Sequence, residues 1–178
     1  MSDLERLLDP DYLGVLAERP VDEIRAMRVE CVEVETALSF LRRMVQGRLD
    51  IVSSEQQRRR DGDDPAGLPE LIGQLPEIFS EQRRPGGAGR LPQSLDPPQM
   101  DEGLAARLDE LAGPGVLGEL ADFSDVELDQ LARRLHDLEA EVSNHRRHMF
   151  DQIDALQAEL TDRYRTGEAS IDTLLTDS

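Results

Sequence analysis

The sequence predicts an all-α fold: a long antiparallel two-helix coiled coil with short flanking helices and a flexible Gly/Pro-rich middle. Three observations carry this expectation. Two stretches repeat apolar residues at alternating steps of three and four. A region crowded with Gly and Pro separates them. The composition is also thin for a layered core: of 178 residues, 3% are aromatic, none is Trp, 38% are hydrophobic and 33% are charged. Mean hydropathy is -0.51. Such material suits helices that bury only a narrow seam.

Residues 1–19 read as a short N-terminal helical segment. Leu4, Leu7 and Leu8 precede an Asp9-Pro10 break, and Tyr12, Leu13, Val15 and Leu16 follow it. This is a helix or hook that packs on the chain itself or on a partner. Residues 20–60 form the first coiled-coil helix, opened by Pro20 and Asp22. Its seam is Ile24, Met27, Cys31, Val34, Leu38, Leu41, Val45, Leu49 and Val52, an a/d pattern with a late slip. Residues 61–122 form a flexible linker with short helices, expected around 68–79 (LPELIGQLPEIF) and around 102–112. Residues 123–167 form the second coiled-coil helix. Ser124 and Glu127 have the spacing of a capping box. The second seam runs Leu128, Leu131, Leu135, Leu138, Val142, His145, Met149, Ile153, Leu156 and Leu160, and the helix ends near Thr166-Gly167. Residues 168–178 are a tail. The two helices could pair in either direction; each alone would expose its seam, so each needs a partner, and the intrachain one is the economical choice.

The formal net charge of -18 repels bare nucleic acid, whose binding needs a basic surface, so direct DNA binding is not expected. An acidic chain is suited to meet a basic protein surface, such as a DNA-binding face. Every cation is Arg, whose planar fork of donors fits phosphates and guanine edges. High-GC codon usage yields the same preference. The single cysteine, Cys31, excludes an intrachain disulfide. The start, MSDLERLLDP, lacks the basic and apolar regions of a leader, and no apolar stretch approaches a membrane span. A cytoplasmic location without membrane contact is expected.

The chemistry lies in a repeat. When the seams are superposed, Leu38 falls on Val142, an offset of 104 residues (142 − 38). At that offset Glu35 meets Glu139, Ser39 meets Ser143, Arg42 meets Arg146, Arg43 meets Arg147 and Asp50 meets Asp154. The first helix reads E-x3-S-x2-R-x3-Q-x3-D through Glu35, Ser39, Arg42, Gln46 and Asp50. The second repeats it through Glu139, Ser143, Arg146 and Asp154, with Phe150 where Gln is asked for. These steps keep the residues on one helix stripe beside the seam. One copy alone would be a solvated flank of Glu–Arg pairs; two copies in register point to a ligand.

The residue types fit guanine. Arg can give two hydrogen bonds to O6 and N7. A carboxylate accepts from N1–H and the exocyclic amine, and Ser and Gln supply adaptable donors and acceptors. Arg43 and Arg147 can reach phosphates or stack on a purine. Phe150 cannot bond a base edge, though it can stack on one. Two copies on antiparallel helices suit a two-fold ligand or a two-fold pair of ligands.

The doubled E-x3-S-x2-R-x3-Q-x3-D pattern resembles the signature of the RsiG family of actinobacterial anti-sigma factors. The resemblance covers the two helices and their order. It implies that cyclic di-GMP binds between the helices as an intercalated dimer. It also implies that the loaded protein sequesters a WhiG-type, flagellar-class sigma factor and represses its transcription of sporulation genes. The implied ligand residues are Glu35, Ser39, Arg42, Arg43, Gln46, Asp50, Glu139, Ser143, Arg146, Arg147 and Asp154, with Phe150 the departure.

The remaining features have plainer readings. His145 and His148 sit three apart, but no Cys or further His completes a metal set, so they read as core or flank residues and no metal is expected. Cys31 reads as a small seam hydrophobe. Arg58, Arg59 and Arg60, followed by DGDD, read as a solvated helix end. No phosphate-cradling Gly-rich loop, GxSxG or HExxH is found, so the chain is not expected to be an enzyme. The alternative function is a coiled-coil adaptor or scaffold without a small ligand, which shares the seam and the acidic surface.

Overall fold

A computed structural model describes residues 3–62 and 98–167. In chain order the described helices are α1 (Asp3–Leu7), α2 (Val21–Asp61), α3 (Glu102–Ala112), α4 (Pro114–Gly118) and α5 (Asp125–Thr166). Single 3-10 turns stand at Leu16–Glu18 and Leu120–Asp122, and there is no strand among the described residues. The helix expected around 68–79 and the tail 168–178 lie outside the described residues. The chain forms two compact units, one of residues 1–39 and 142–178, the other of residues 40–141.

In the first unit α2 and α5 run antiparallel, since their partners count in opposite directions. Arg25 bonds Tyr164, Cys31 bonds Gln152, and Glu35 bonds Arg146. Ile24, Met27, Cys31 and Leu38 are buried along α2, facing Val142, Met149, Leu156 and Leu160 of α5 in the seam. Three seam assignments shift, half-buried His145 among them. Gln152 is buried whereas Ile153 is half-buried, and Val34 is half-buried. The buried glutamine has a purpose: Nε2 donates to Leu7 O at 2.7 Å, and Oε1 accepts from the Cys31 thiol at 3.5 Å. It thereby ties α1 to the helix pair, with Leu4 and Leu7 buried beneath. Arg6 and Tyr12 both bond Glu30. Arg163 donates to the carbonyls of Arg19 and Leu16, at 2.6 and 2.7 Å. The N-terminal segment is therefore a hook on its own chain.

In the second unit the antiparallel partners are Arg42 with Glu139, Gln56 with Asp129, and Arg59 with Asp125. Leu41, Val45, Leu49 and Val52 meet Leu128, Leu131, Leu135 and Leu138 in the core. The short helices pack on this pair through Leu104, Leu108, Leu117 and Leu120, all buried. Burying each such leucine contributes about 1.5–3 kcal/mol, which a helix of one to three turns needs in order to persist. Asp101 caps α3 by accepting from Leu104 N. Arg48 then pins α3 by donating to Leu108 O and Asp109, both at 2.7 Å.

The arginine run at the end of α2 departs from expectation. Glu55 takes the seam position after Val52 and has no solvent exposure. Arg58 and Arg59 both bond its carboxylate. Arg59 also donates to the carbonyls of Leu120, Ala121 and Phe123. The run is a polar bolt across the turn into α5; only Arg60 is exposed. Ser124 and Glu127 form the expected capping box, each side chain bonding the other's backbone N–H. Both long helices stop at a glycine with positive φ, Gly62 at 75° and Gly167 at 78°, a conformation that disfavours any side chain.

Candidate functional site

At 100° per residue, Glu35, Ser39, Arg42, Gln46 and Asp50 lie on one flank of the α2 seam. Glu30 and Arg48, which hold the hook and α3, lie on the other flank. On α5 the same division separates Glu139, Ser143, Arg146, Phe150 and Asp154 from Glu141 and Gln152. Arg107 of α3 grips Glu141 with two bonds of 2.8 Å. Within each unit, then, the short elements close one groove of the helix pair. The motif residues border the other groove.

Each unit draws on both motif copies. The first unit holds Glu35 and Ser39 of the first copy with Ser143, Arg146, Arg147, Phe150 and Asp154 of the second. There Arg146 Nε donates to Glu35 Oε1 at 3.1 Å, and Ser39 Oγ donates to the same oxygen at 2.6 Å. The Arg146 guanidinium lies 5.3 Å from the Phe150 ring centroid. The second unit holds Arg42, Arg43, Gln46 and Asp50 of the first copy with Glu139 of the second. There Arg42 Nε donates to Glu139 Oε1 at 2.6 Å, and Gln46 Nε2 donates to the same oxygen at 3.3 Å.

The glutamate of each copy is thus bound by the arginine of the other. The glutamates are sheltered, 15% exposed at Glu35 and 21% at Glu139. Ion pairs at that depth are worth more than open surface pairs, yet they stay in reach of a ligand. Each arginine uses Nε, one of five donors, so the guanidinium retains terminal nitrogens for a second acceptor. Arg43, Asp50, Arg147 and Asp154 are exposed on the rim.

Two further residues escape the repeat. Arg28 lies on the motif stripe of α2, half-buried, and its Nε is buried without a hydrogen-bond partner among the described residues. The 104-residue offset places Ala132 opposite it, so superposing the copies could not reveal it. His145 is half-buried, with Nδ1 likewise unpartnered among the described residues. His148 bonds Gln152 at 3.0 Å. Among the described residues no cluster of His, Cys, Asp and Glu could hold a metal ion. No described helix is long and apolar enough to cross a membrane.

The sequence model for RsiG-like proteins matches residues 10–79 and 115–177, which include both motif copies. No curated protein matches the chain.

Proposed function

This chain belongs to the RsiG-like family, a regulatory and not an enzymatic family, and on that premise we propose that it is an anti-sigma factor gated by cyclic di-GMP. The guanines enter the motif-lined grooves, and the loaded protein sequesters a WhiG-type sigma factor in the cytoplasm, silencing sporulation genes. The observation that carries this reading is the exchange of partners, Arg42 with Glu139 and Arg146 with Glu35.

A guanidinium facing a carboxylate is complementary to guanine. The arginine matches the acceptor edge, O6 and N7, and the glutamate matches the donor edge, N1–H and the exocyclic amine. Without ligand the two side chains satisfy each other. Opening such a partly sheltered pair costs more than the about 1 kcal/mol of an open surface pair. Two bidentate contacts to a guanine offset that cost, each good one contributing about 1–3 kcal/mol. Ser39 and Gln46 keep the glutamates oriented, and the exposed Arg43 and Arg147 answer the phosphates.

Because guanine contacts come from both helices, the ligand cross-links them and orders the surface offered to the sigma factor. Linkage then requires that sigma factor raise the affinity for cyclic di-GMP by the factor with which the ligand raises affinity for sigma. The acidic surface steers the basic DNA-contacting parts of the sigma factor into encounter. The test is binding of the chain to immobilised WhiG-type sigma factor with and without cyclic di-GMP. Retention only with ligand, lost in Arg42→Ala/Arg146→Ala, is expected. Equal retention by both forms at all ligand concentrations points instead to the adaptor.

A further inference from the structure

The motif-lined groove of the first unit carries two residues that the repeated motif does not ask for. Phe150 takes the place that Gln46 holds in the other copy, and it is 44% exposed. An aromatic ring so exposed contributes little to the core. Arg146, one turn earlier, lies over it within cation–π range. The bonds Cys31–Gln152 and Glu35–Arg146 bracket Phe150 along the helix pair. Arg28, one turn beyond Cys31 on the motif stripe, has its Nε shut off from solvent without an acceptor among the described residues. A sheltered guanidinium donor left unpaired costs free energy that an anion would recover.

We infer that this groove is a stacking subsite for a purine nucleotide, with the base on the Phe150 ring, its O6/N7 edge on Arg146 and a phosphate on Arg28. The inference rests on the nucleotide reading above and adds that the two clusters are unequal. The second unit reads guanine by hydrogen bonding from Arg42, Gln46 and Glu139. The first unit grips its purine chiefly by the face, and stacking is tolerant of base identity. Discrimination between guanine and adenine therefore resides mainly in the second unit.

The chain has no tryptophan, so Phe150→Trp places a single indole reporter at the subsite. Cyclic di-GMP is titrated into this variant in parallel by calorimetry and by indole emission. Emission that is quenched in step with the heat supports the stack. Heat that saturates while emission stays constant overturns it and leaves the nucleotide reading intact. Absence of heat with the unmodified chain removes the nucleotide reading, and the subsite falls with it.

Phe150→Ala is expected to weaken binding about tenfold, the loss of one base–aromatic stack. Phe150→Gln is expected to widen the preference for cyclic di-GMP over cyclic di-AMP. Arg28→Gln separates ligand contact from packing. Weaker binding, with shallower ionic-strength dependence and an unchanged melting temperature, assigns Arg28 to the phosphate. Unchanged affinity removes it from the subsite.

Discussion

Replacing Arg59 with alanine removes the bolt between the end of α2 and the turn into α5. The guanidinium reaches five acceptors: Glu55 at 2.7 Å, Phe123 O at 2.7 Å, Leu120 O at 2.8 Å, Asp125 at 3.0 Å and Ala121 O at 3.2 Å. They do not contribute equally. The Asp125 side chain is 86% exposed, so water replaces that bond almost without cost. Ala121 is exposed as well. The carbonyls of Leu120 and Phe123 and the buried Glu55 carboxylate remain. Bonds to a charged donor contribute about 1.5–3 kcal/mol each, but Arg58 continues to neutralise Glu55. The three bonds also share one side chain and do not add independently. A loss of about 3 kcal/mol follows. Urea unfolding followed by far-UV circular dichroism measures it, with Arg60→Ala, an exposed neighbour, expected to stay within about 0.5 kcal/mol of the parent. A loss below about 1 kcal/mol for Arg59→Ala would place its contacts among ordinary surface pairs and refute the bolt.

Other consequences can be read from the same contacts. Ser124→Ala removes the cap of α5 and is expected to cost about 1 kcal/mol in the same unfolding assay. Gln152→Ala leaves Leu7 O and the Cys31 thiol without their buried partner; a loss of about 1–3 kcal/mol and faster proteolysis ahead of Pro20 are expected. The Glu55 carboxyl is held below the usual glutamate range, first by its bond from Arg58 and then by that from Arg59, against the opposing effect of burial. Its folded pKa is thus below the unfolded one, so its contribution is complete above about pH 4.3 and is lost as pH falls through the folded value. Glu55→Gln is accordingly expected to flatten the acid limb of a stability–pH profile, and an unchanged limb would contradict the assignment.

The seams were legible because apolar side chains at three- and four-residue steps have one economical use, burial against a second helix. The places where the reading failed are polar residues in that seam. Glu55 and Gln152 look like surface by type, and only their partners, Arg58 and Arg59 for one, Leu7 O and the Cys31 thiol for the other, make their burial affordable. Those partners come from distant segments or from residues that resemble a solvated end, so no local pattern announces them. The motif stripe was legible because it occurs twice. Its pairing across copies was not, since sequence places Glu35 beside Ser39 and not beside Arg146. Arg28 was invisible to the repeat because Ala132 faces it in the alignment of the two copies.

Titration calorimetry of the purified chain with cyclic di-GMP, beside cyclic di-AMP and the Arg42→Ala/Arg146→Ala variant, addresses the central claim most directly. The account predicts saturable binding of two ligands per chain, absent for the variant and much weaker for the adenine analogue. No heat from cyclic di-GMP, alone or with sigma factor present, would reduce the Arg–Glu pairs to a solvated coiled-coil flank and contradict the claim.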